Sequence, residues 1–509
     1  MGSLMDARHL FYSFFPVAAI VVVALSLGAF RRDQLVRVLL LCIGILLFVM
    51  HLGMRHVRAD DGSAIPPVVS VAVKIETEVL LEKIKEAQEY LANEPISFYE
   101  EKEVVTKRVP VKEYKQHKNG KWFKRYRQVT VQAEVVYGRM ILLRAWDPFD
   151  DTTHTVRLRV PHPLPENDKK NPTDRDVYVF DNQTPEYHVL HLGGRGVSKL
   201  RFHVTYQGRK LVVLAGKHHW LAPEYWKNRN PVEFEKHMRV VVYSPYYDEY
   251  RSPELIRKGF FFLRDEILRA QDDLRQRGVQ SSAFPEKLLA DVFQWETLLT
   301  IPLNEQMDEE KFKNDPKGTS EAILGEYAIM REQAFIWITS RANARGPLQF
   351  TNASNNGKLG TYDFTVRSCP AAGLIGNFED AVQNLQNMLK AKICLLDIEL
   401  AGFNTKKDVM ELFHRDQRLG MIFPVAAYNE GGGGAQQLYA LLRARGVDLA
   451  KLSMDDIDLP EQVFLRRGKK HRDRIVLNTE TQYYIKKHLF LSSFIDEMKK
   501  EFETQQIGQ

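Results

Sequence analysis

Cysteine is nearly absent from this chain, with 3 in 509 residues, and that alone excludes a disulfide-framed scaffold. No Cys-x-x-Cys pair and no Cys/His cluster at zinc-ligand spacing occurs, so a structural metal site of the usual kinds is not expected. Cys42 sits in an apolar run. Cys369 and Cys394 form the one pair outside it. Because free cysteine is among the most buried residue types, we read both as buried, unpaired thiols, with a bridge as the alternative in an oxidising compartment. Charge of one sign is also lacking: 71 basic against 65 acidic residues leave a net +6, which gives no dominating field for nucleic acid. Internal repeats and low-complexity tracts are missing too, apart from Gly431–Gly434.

What is present is globular material. Hydrophobic residues make up 44% and charged residues 27%, with 28 Phe and 20 Tyr available for cores. A chain of this length exceeds what one hydrophobic core organises, which predicts several folded units.

Charge is absent from Leu10 to Phe30 (LFYSFFPVAAIVVVALSLGAF), about the 20 residues a bilayer's hydrocarbon core requires. After Arg31, Arg32, Asp33, Gln34 and Arg37, a second apolar run extends from Val38 to Met54. Two apolar runs with a short polar turn predict a transmembrane helical hairpin rather than a cleaved signal peptide. Basic residues are balanced between the turn (Arg31, Arg32, Arg37) and the other side (Arg8, Arg55, Arg58), so charge does not fix the orientation.

Past Pro66-Pro67 the pattern predicts a helix over 75–91, then strands. Two β-rich runs flank Asn119-Gly120, a strong hairpin signal, and carry interleaved basic and aromatic residues, read as a solvated face over an aromatic core, with a grip on anionic lipid headgroups or cell-wall polymer as the alternative. Further strands are expected in THTVRLRV, DVYVF, KLRFHVTY, KLVVLAG and MRVVVYS. Neighbouring side chains on a strand point to opposite faces, so His218 and His219 are not assigned a site. Ser252-Pro253-Glu254 then opens a helix with Ile256, Phe260, Leu263, Ile267 and Leu274 on one face and Gly278 at its end. Beyond Pro285 the chain reads as helical; Val382, Leu385, Leu389, Ile393, Leu396 and Leu400 form the stripe of a long core helix starting near Asp380.

Four short motifs follow one another in this C-terminal part: Glu332-Gln333-Ala334-Phe335, Ser340 to Phe350 (SRANARGPLQF), Ala426-Ala427-Tyr428-Asn429-Glu430-Gly431, and Glu480-Thr481-Gln482-Tyr483-Tyr484-Ile485. Together, over about 285–500, they resemble the catalytic domain of the lytic transglycosylases of the lysozyme-like superfamily. The resemblance implies cleavage of peptidoglycan glycan strands with Glu332 as the acid/base. It further implies Ser340 and Gln349 in the cleft, Tyr428 beside the carboxyl, Asn429 on the sugar, and Glu480 and Tyr484 as weaker substrate-side residues. Arg345 and Gly346 are expected to shape the turn.

Protonating a glycosidic oxygen near neutral pH requires a carboxyl withdrawn from water, and Phe335, Trp337 and Tyr428 are expected to supply the apolar wall. Most glycosidases add a second carboxylate; no Asp or Glu lies between Glu332 and Asp363. That gap points to attack by the muramic acid's own 6-hydroxyl, ending in 1,6-anhydro-N-acetylmuramic acid. A lysozyme-type hydrolase and an inactive wall-binding scaffold are the rival readings.

The sequence is therefore read as an α+β multidomain chain: transmembrane hairpin anchor (1–60), β-rich accessory domain (61–250), connecting helix (251–284) and mainly α, lysozyme-like catalytic domain (285–509). The expected partners are the glycan strand and, through the hairpin, the bacterial inner membrane, with the soluble domains in the periplasm. No cofactor, metal or nucleic acid is expected.

Overall fold

In the computed structural model the described residues are 75–96, 101–116, 122–137, 139–160, 181–193, 199–221, 238–340, 344–352, 359–453 and 477–507. Both apolar runs of the expected hairpin anchor lie outside them, as do Asn119, Gly120 and the expected strand DVYVF. Among the described residues no helix is long and apolar enough to cross a membrane. The chain divides into two compact units, Met1–Val68 and Val69–Gln509, and every element described belongs to the second.

Helix α1 (Thr77–Asn93) follows the expected pattern: Leu80, Ile84, Ala87 and Leu91, spaced for one face, are its buried apolar residues. Strands β1 (Glu101–Gln116) and β2 (Trp122–Tyr137) pair antiparallel from Glu101↔Tyr137 to Gln116↔Trp122, a separate two-stranded ribbon. A seven-stranded antiparallel sheet comes next, built from β3 (Arg139–Asp147), β4 (Thr152–Val160), β5 (Asp181–Asn182), β6 (Tyr187–Gly193), β7 (Arg201–Tyr206), β8 (Arg209–Leu221) and β9 (Met238–Tyr243). Its order is β5-β4-β3-β8-β7-β6, with β9 also on β8. The long β8 pairs with β3 on one edge; on the other it pairs first with β7 and then with β9. The sheet therefore curls, and α1 packs on β8, β3 and β9.

Three of these strands, β3, the two-residue β5 and β6, were not expected. β3 contains Ile141, Leu142, Leu143, Ala145 and Trp146, all buried, so it lacks the alternation of a half-buried strand. In β6, histidines interrupt the apolar rhythm. His218 and His219 are both buried on β8, His218 edge-on to Tyr243.

The helical part begins with α2 (Pro253–Gln276), whose N-cap Ser252 accepts a hydrogen bond from the Leu255 amide at 3.1 Å and whose end is released by Gly278 at φ 65°. Then come α3 (Trp295–Gln306), α4 (Glu309–Asn314), α5 (Pro316–Met330), a short β10–β11 pair (Ala344–Arg345, Phe350–Thr351), α6 (Thr361–Ser368), α7 (Phe378–Ala381), α8 (Leu385–Ala401), α9 (Lys407–Arg415), α10 (Gln417–Gly420), α11 (Ile422–Glu430), α12 (Gly432–Ala444) and α13 (Thr479–Ile507). The expected long helix from Asp380 is broken: α7 stops at Ala381 and Asn384 re-caps α8 through the Asn387 amide. All six stripe residues are nonetheless buried.

One continuous core runs from Leu80 on α1 through the sheet to Phe502 on α13. The border near residue 250 is thus a change of secondary structure within a shared core. Cys369 and Cys394 are joined by a disulfide, Cα atoms 6.2 Å apart, which corrects the reading as unpaired thiols. Cys394 is buried as expected, but packing of α6 against α8, fixed in part by the 2.8 Å hydrogen bond from Asn387 Nδ2 to the Tyr362 hydroxyl, brings its partner alongside.

Candidate functional site

Helix α3 (WETLLTIPLNEQ) is apolar and buried from Thr297 to Asn304, and its last turn ends in the acid Glu305. A carboxylate at a helix C-terminus faces the negative end of the helix dipole and needs cations close by. Two lysines supply them. Lys392, from the middle of α8, donates to Glu305 Oε1 at 2.9 Å; the two side chains are 3% and 8% exposed. Lys487, from α13, donates to the terminal carbonyls of Asn304 (3.2 Å) and Met307 (2.9 Å).

Three of the four motifs gather around this carboxylate. The Tyr484 hydroxyl donates to Glu305 Oε1 at 2.7 Å, and the Tyr484 carbonyl accepts from Asn304 Nδ2 at 2.9 Å. The Tyr428 hydroxyl reaches the carbonyls of Leu348 (2.5 Å) and Gln349 (3.1 Å), and its ring stands 6.2 Å from that of Tyr484. Lys392 Nζ lies 2.8 Å above the centre of the Tyr428 ring. Gln306 Nε2, next to the acid, donates to the Pro347 carbonyl at 2.8 Å. The segment Pro347-Leu348-Gln349, Tyr428 and Tyr484, far apart in sequence, thus meet at the end of α3.

The electrostatics follow from burial. Desolvation pulls the Lys392 ammonium down to about 8, against the raising pull of Glu305. Burial, and after it the negative charge of Glu305, holds the Tyr428 and Tyr484 hydroxyls well above their ordinary value. Both phenols stay protonated and act as donors. Lys487 is lowered by burial in the same way.

The remaining expected residues are placed as follows. Gln349, at φ 47°, folds its amide back onto the Gly346 carbonyl at 2.7 Å. Asn429 Oδ1 accepts from the Thr481 hydroxyl at 2.7 Å, tying the third motif to the fourth. Ser340 is exposed and accepts from the Ala344 amide at 3.0 Å, closing a turn before β10. Glu480 is exposed in the first turn of α13. Arg345 grips Glu379 with both guanidinium arms, a structural clamp on the turn.

Glu332 stands apart from this cluster. It lies in the single 3-10 turn after α5, its side chain 51% exposed, and among the described residues its polar partner is Arg331 at 3.8 Å. The aromatic expected to shelter it, Phe335, turns inward at φ 61° and packs edge-on to Tyr327, ring centres 5.0 Å apart. Another carboxyl of this region is Glu326, half-buried on α5, which burial lifts to about 7 against the lowering influence of Lys199, Lys311 and Arg201. No tyrosine of the motifs is among its partners.

Glu305 was missed by the sequence reading. The available signal was a lone acid closing an otherwise apolar helix, but the residues that mark it as special come from helices some 90 to 180 positions further on.

Comparison with known protein families, with curated proteins and with solved structures finds no match.

Proposed function

We propose that this chain is a membrane-anchored peptidoglycan lytic transglycosylase whose proton-transferring group is Glu305 paired with Lys392. The observation that carries the proposal is the convergence of three separate motif segments on one buried carboxylate. An acid/base is most effective when its proton is held near the working pH in a site withdrawn from water. Lys392, lowered to about 8, meets that condition beside Glu305, whereas Glu332 is open to solvent. In the reaction, the proton of the pair goes to the glycosidic oxygen as the bond from C1 of N-acetylmuramic acid breaks. The 6-hydroxyl of the same sugar then forms the new bond to C1 and returns its proton to the pair. Such an intramolecular attack gains from high effective molarity and requires no positioned water. Tyr484 orients the carboxylate, and Tyr428 steadies the Leu348-Gln349 segment beside it.

A periplasmic soluble region, anchored by the hairpin in the inner membrane, agrees with this substrate and is supported by the Cys369–Cys394 disulfide, a bond that persists in oxidising compartments. A second reading is favoured by the same ion pair: a carboxylate already engaged by an ammonium and a phenol suits a glycan-binding protein that no longer cleaves. Digestion of purified peptidoglycan with the protein, followed by mass spectrometry, separates the readings. Fragments ending in 1,6-anhydro-N-acetylmuramic acid are expected. Reducing-end fragments would mean hydrolysis, and binding without fragments would mean a scaffold.

A further inference from the structure

Between α1, α2 and the end of α5 lies a groove of about 470 Å³, built from residues that play no part in the cluster around Glu305. Its lining includes the cations Arg257, Lys258, Arg269 and Arg331 against the acids Glu78 and Asp265. Those acids are already engaged: Glu78 by Lys258 at 2.5 Å, and Asp265 by Arg264 at 2.7 Å. Arg269 is held by the buried Glu266. Two guanidiniums are less fully engaged. Arg257 is half-buried and has no ion pair among the described residues, and Arg331 has only Glu332, at 3.8 Å on the solvent side.

Arg331 is placed there at a conformational cost. It caps α5 at φ 49°, ψ −125°, a backbone region that L-residues seldom occupy and that glycine enters freely. The chain nevertheless carries arginine, and its guanidinium stacks 4.7 Å over the ring of Phe262, a wall of the groove. Stacking fixes the plane of the guanidinium while leaving its N–H edge free to donate. A strained residue aimed into a concave site beside a second, unmatched arginine is a preorganised anion receptor.

We propose that this groove binds a dianionic, phosphate-class group, with Arg257 and Arg331 as its ligands and Phe261 and Phe262 as the apolar floor for the group's carrier. The lining holds four cations against two acids, a balance that favours an anion, and the planar fork of arginine matches tetrahedral phosphate oxygens better than it matches a halide. The proposal is independent of the glycan-cleavage reading.

The test is calorimetric titration of the full chain with inorganic phosphate near pH 8, ionic strength held constant with chloride. Saturable 1:1 binding is expected, weakened at least tenfold in both Arg257→Gln and Arg331→Gln. Arg331→Gly provides a control that folding failure cannot imitate: it relieves the backbone, so its Tm should rise while binding is lost. Competition by glycerol 3-phosphate against short-chain phosphatidic acid tells a soluble ester from a lipid headgroup as the natural carrier; displacement by either supports the site. Absence of saturable binding over the chloride background, or unchanged affinity in both glutamine variants, would overturn the proposal.

Discussion

Removing Lys392 and removing the charge of Glu305 should destabilise the protein with opposite dependence on pH. The fold lowers the Lys392 ammonium from 10.5 to about 8, which at 1.36 kcal/mol per unit is a penalty of roughly 3 kcal/mol on the charged lysine relative to the unfolded chain. The sign follows directly. A basic group depressed on folding binds its proton better when unfolded, so it costs stability increasingly as pH falls from 10.5 through 8. In Glu305→Gln the ammonium loses its counter-charge and that cost grows, so this variant should be weakest at pH 6 and recover toward pH 9. In Lys392→Met the buried carboxylate loses its ion-pair partner and keeps the Tyr484 hydroxyl and the charge of Lys487, a change worth about 3 kcal/mol, the lower end for removing one partner of a buried pair. Proton uptake relieves it, so this variant should be weakest at pH 8–9 and recover toward pH 5. The double variant removes both charges of the pair and leaves Lys487 on the carbonyls of Asn304 and Met307; it should be less destabilised than either single variant, because neutral replacement of a whole buried ion pair costs less than removal of one partner. Urea unfolding of all four proteins at pH 5, 7 and 9 measures this directly. If the two single variants move in the same direction with pH, or if the cycle shows coupling under 1 kcal/mol, on the scale expected of independent sites, the pair is not the buried, mutually dependent unit described.

Replacing both Cys369 and Cys394 by alanine removes a link across 25 positions, for which loop-closure entropy gives a loss of about 3.5 kcal/mol; a loss under about 1 kcal/mol by urea unfolding would mean the bridge constrains little. Gly259→Ala should cost more than about 3 kcal/mol, because a Cβ there would come within 1.9 Å of the Leu324 carbonyl where α2 crosses α5 and the helices would have to separate; a variant as stable as wild type would place that crossing elsewhere. A reporter that is active only in the periplasm, fused after Gln509, should be active, and a purely cytoplasmic signal would contradict the proposed access to the cell wall.

Local chemistry was legible in the sequence wherever short-range rules decide the outcome. Ser252 and Gly278 mark the ends of α2, the apolar spacing of Leu80 to Leu91 defines the inner face of α1, and the strand runs on either side of Asn119-Gly120 pair in register. Tertiary context decided the rest. β3 is buried on both faces, so its sequence carries no period of two. The break between α7 and α8 rests on Asn384 choosing to cap a helix rather than continue one. The site shows the same division. Tyr428, Gln349 and Tyr484 were marked by their motifs, and the structure brings them to one place. The carboxylate at that place was not the acid nearest to a motif in sequence. Its identity depends on Lys392 and Tyr484 reaching the end of α3 from distant helices, and no local spacing records that.

The account rests on which glutamate moves the proton, and one comparison tests it most directly: digestion of purified peptidoglycan by wild type, Glu305→Gln and Glu332→Gln, each first shown to be folded by its unfolding transition, with 1,6-anhydro products counted by mass spectrometry. Glu305→Gln should lose cleavage by at least a hundredfold, the range in which a single acid/base contributes, while Glu332→Gln, whose carboxylate lies outside the cluster, should cleave at close to the wild-type rate. Loss of cleavage in Glu332→Gln with activity preserved in Glu305→Gln would contradict the account and return the catalytic role to the exposed turn after α5.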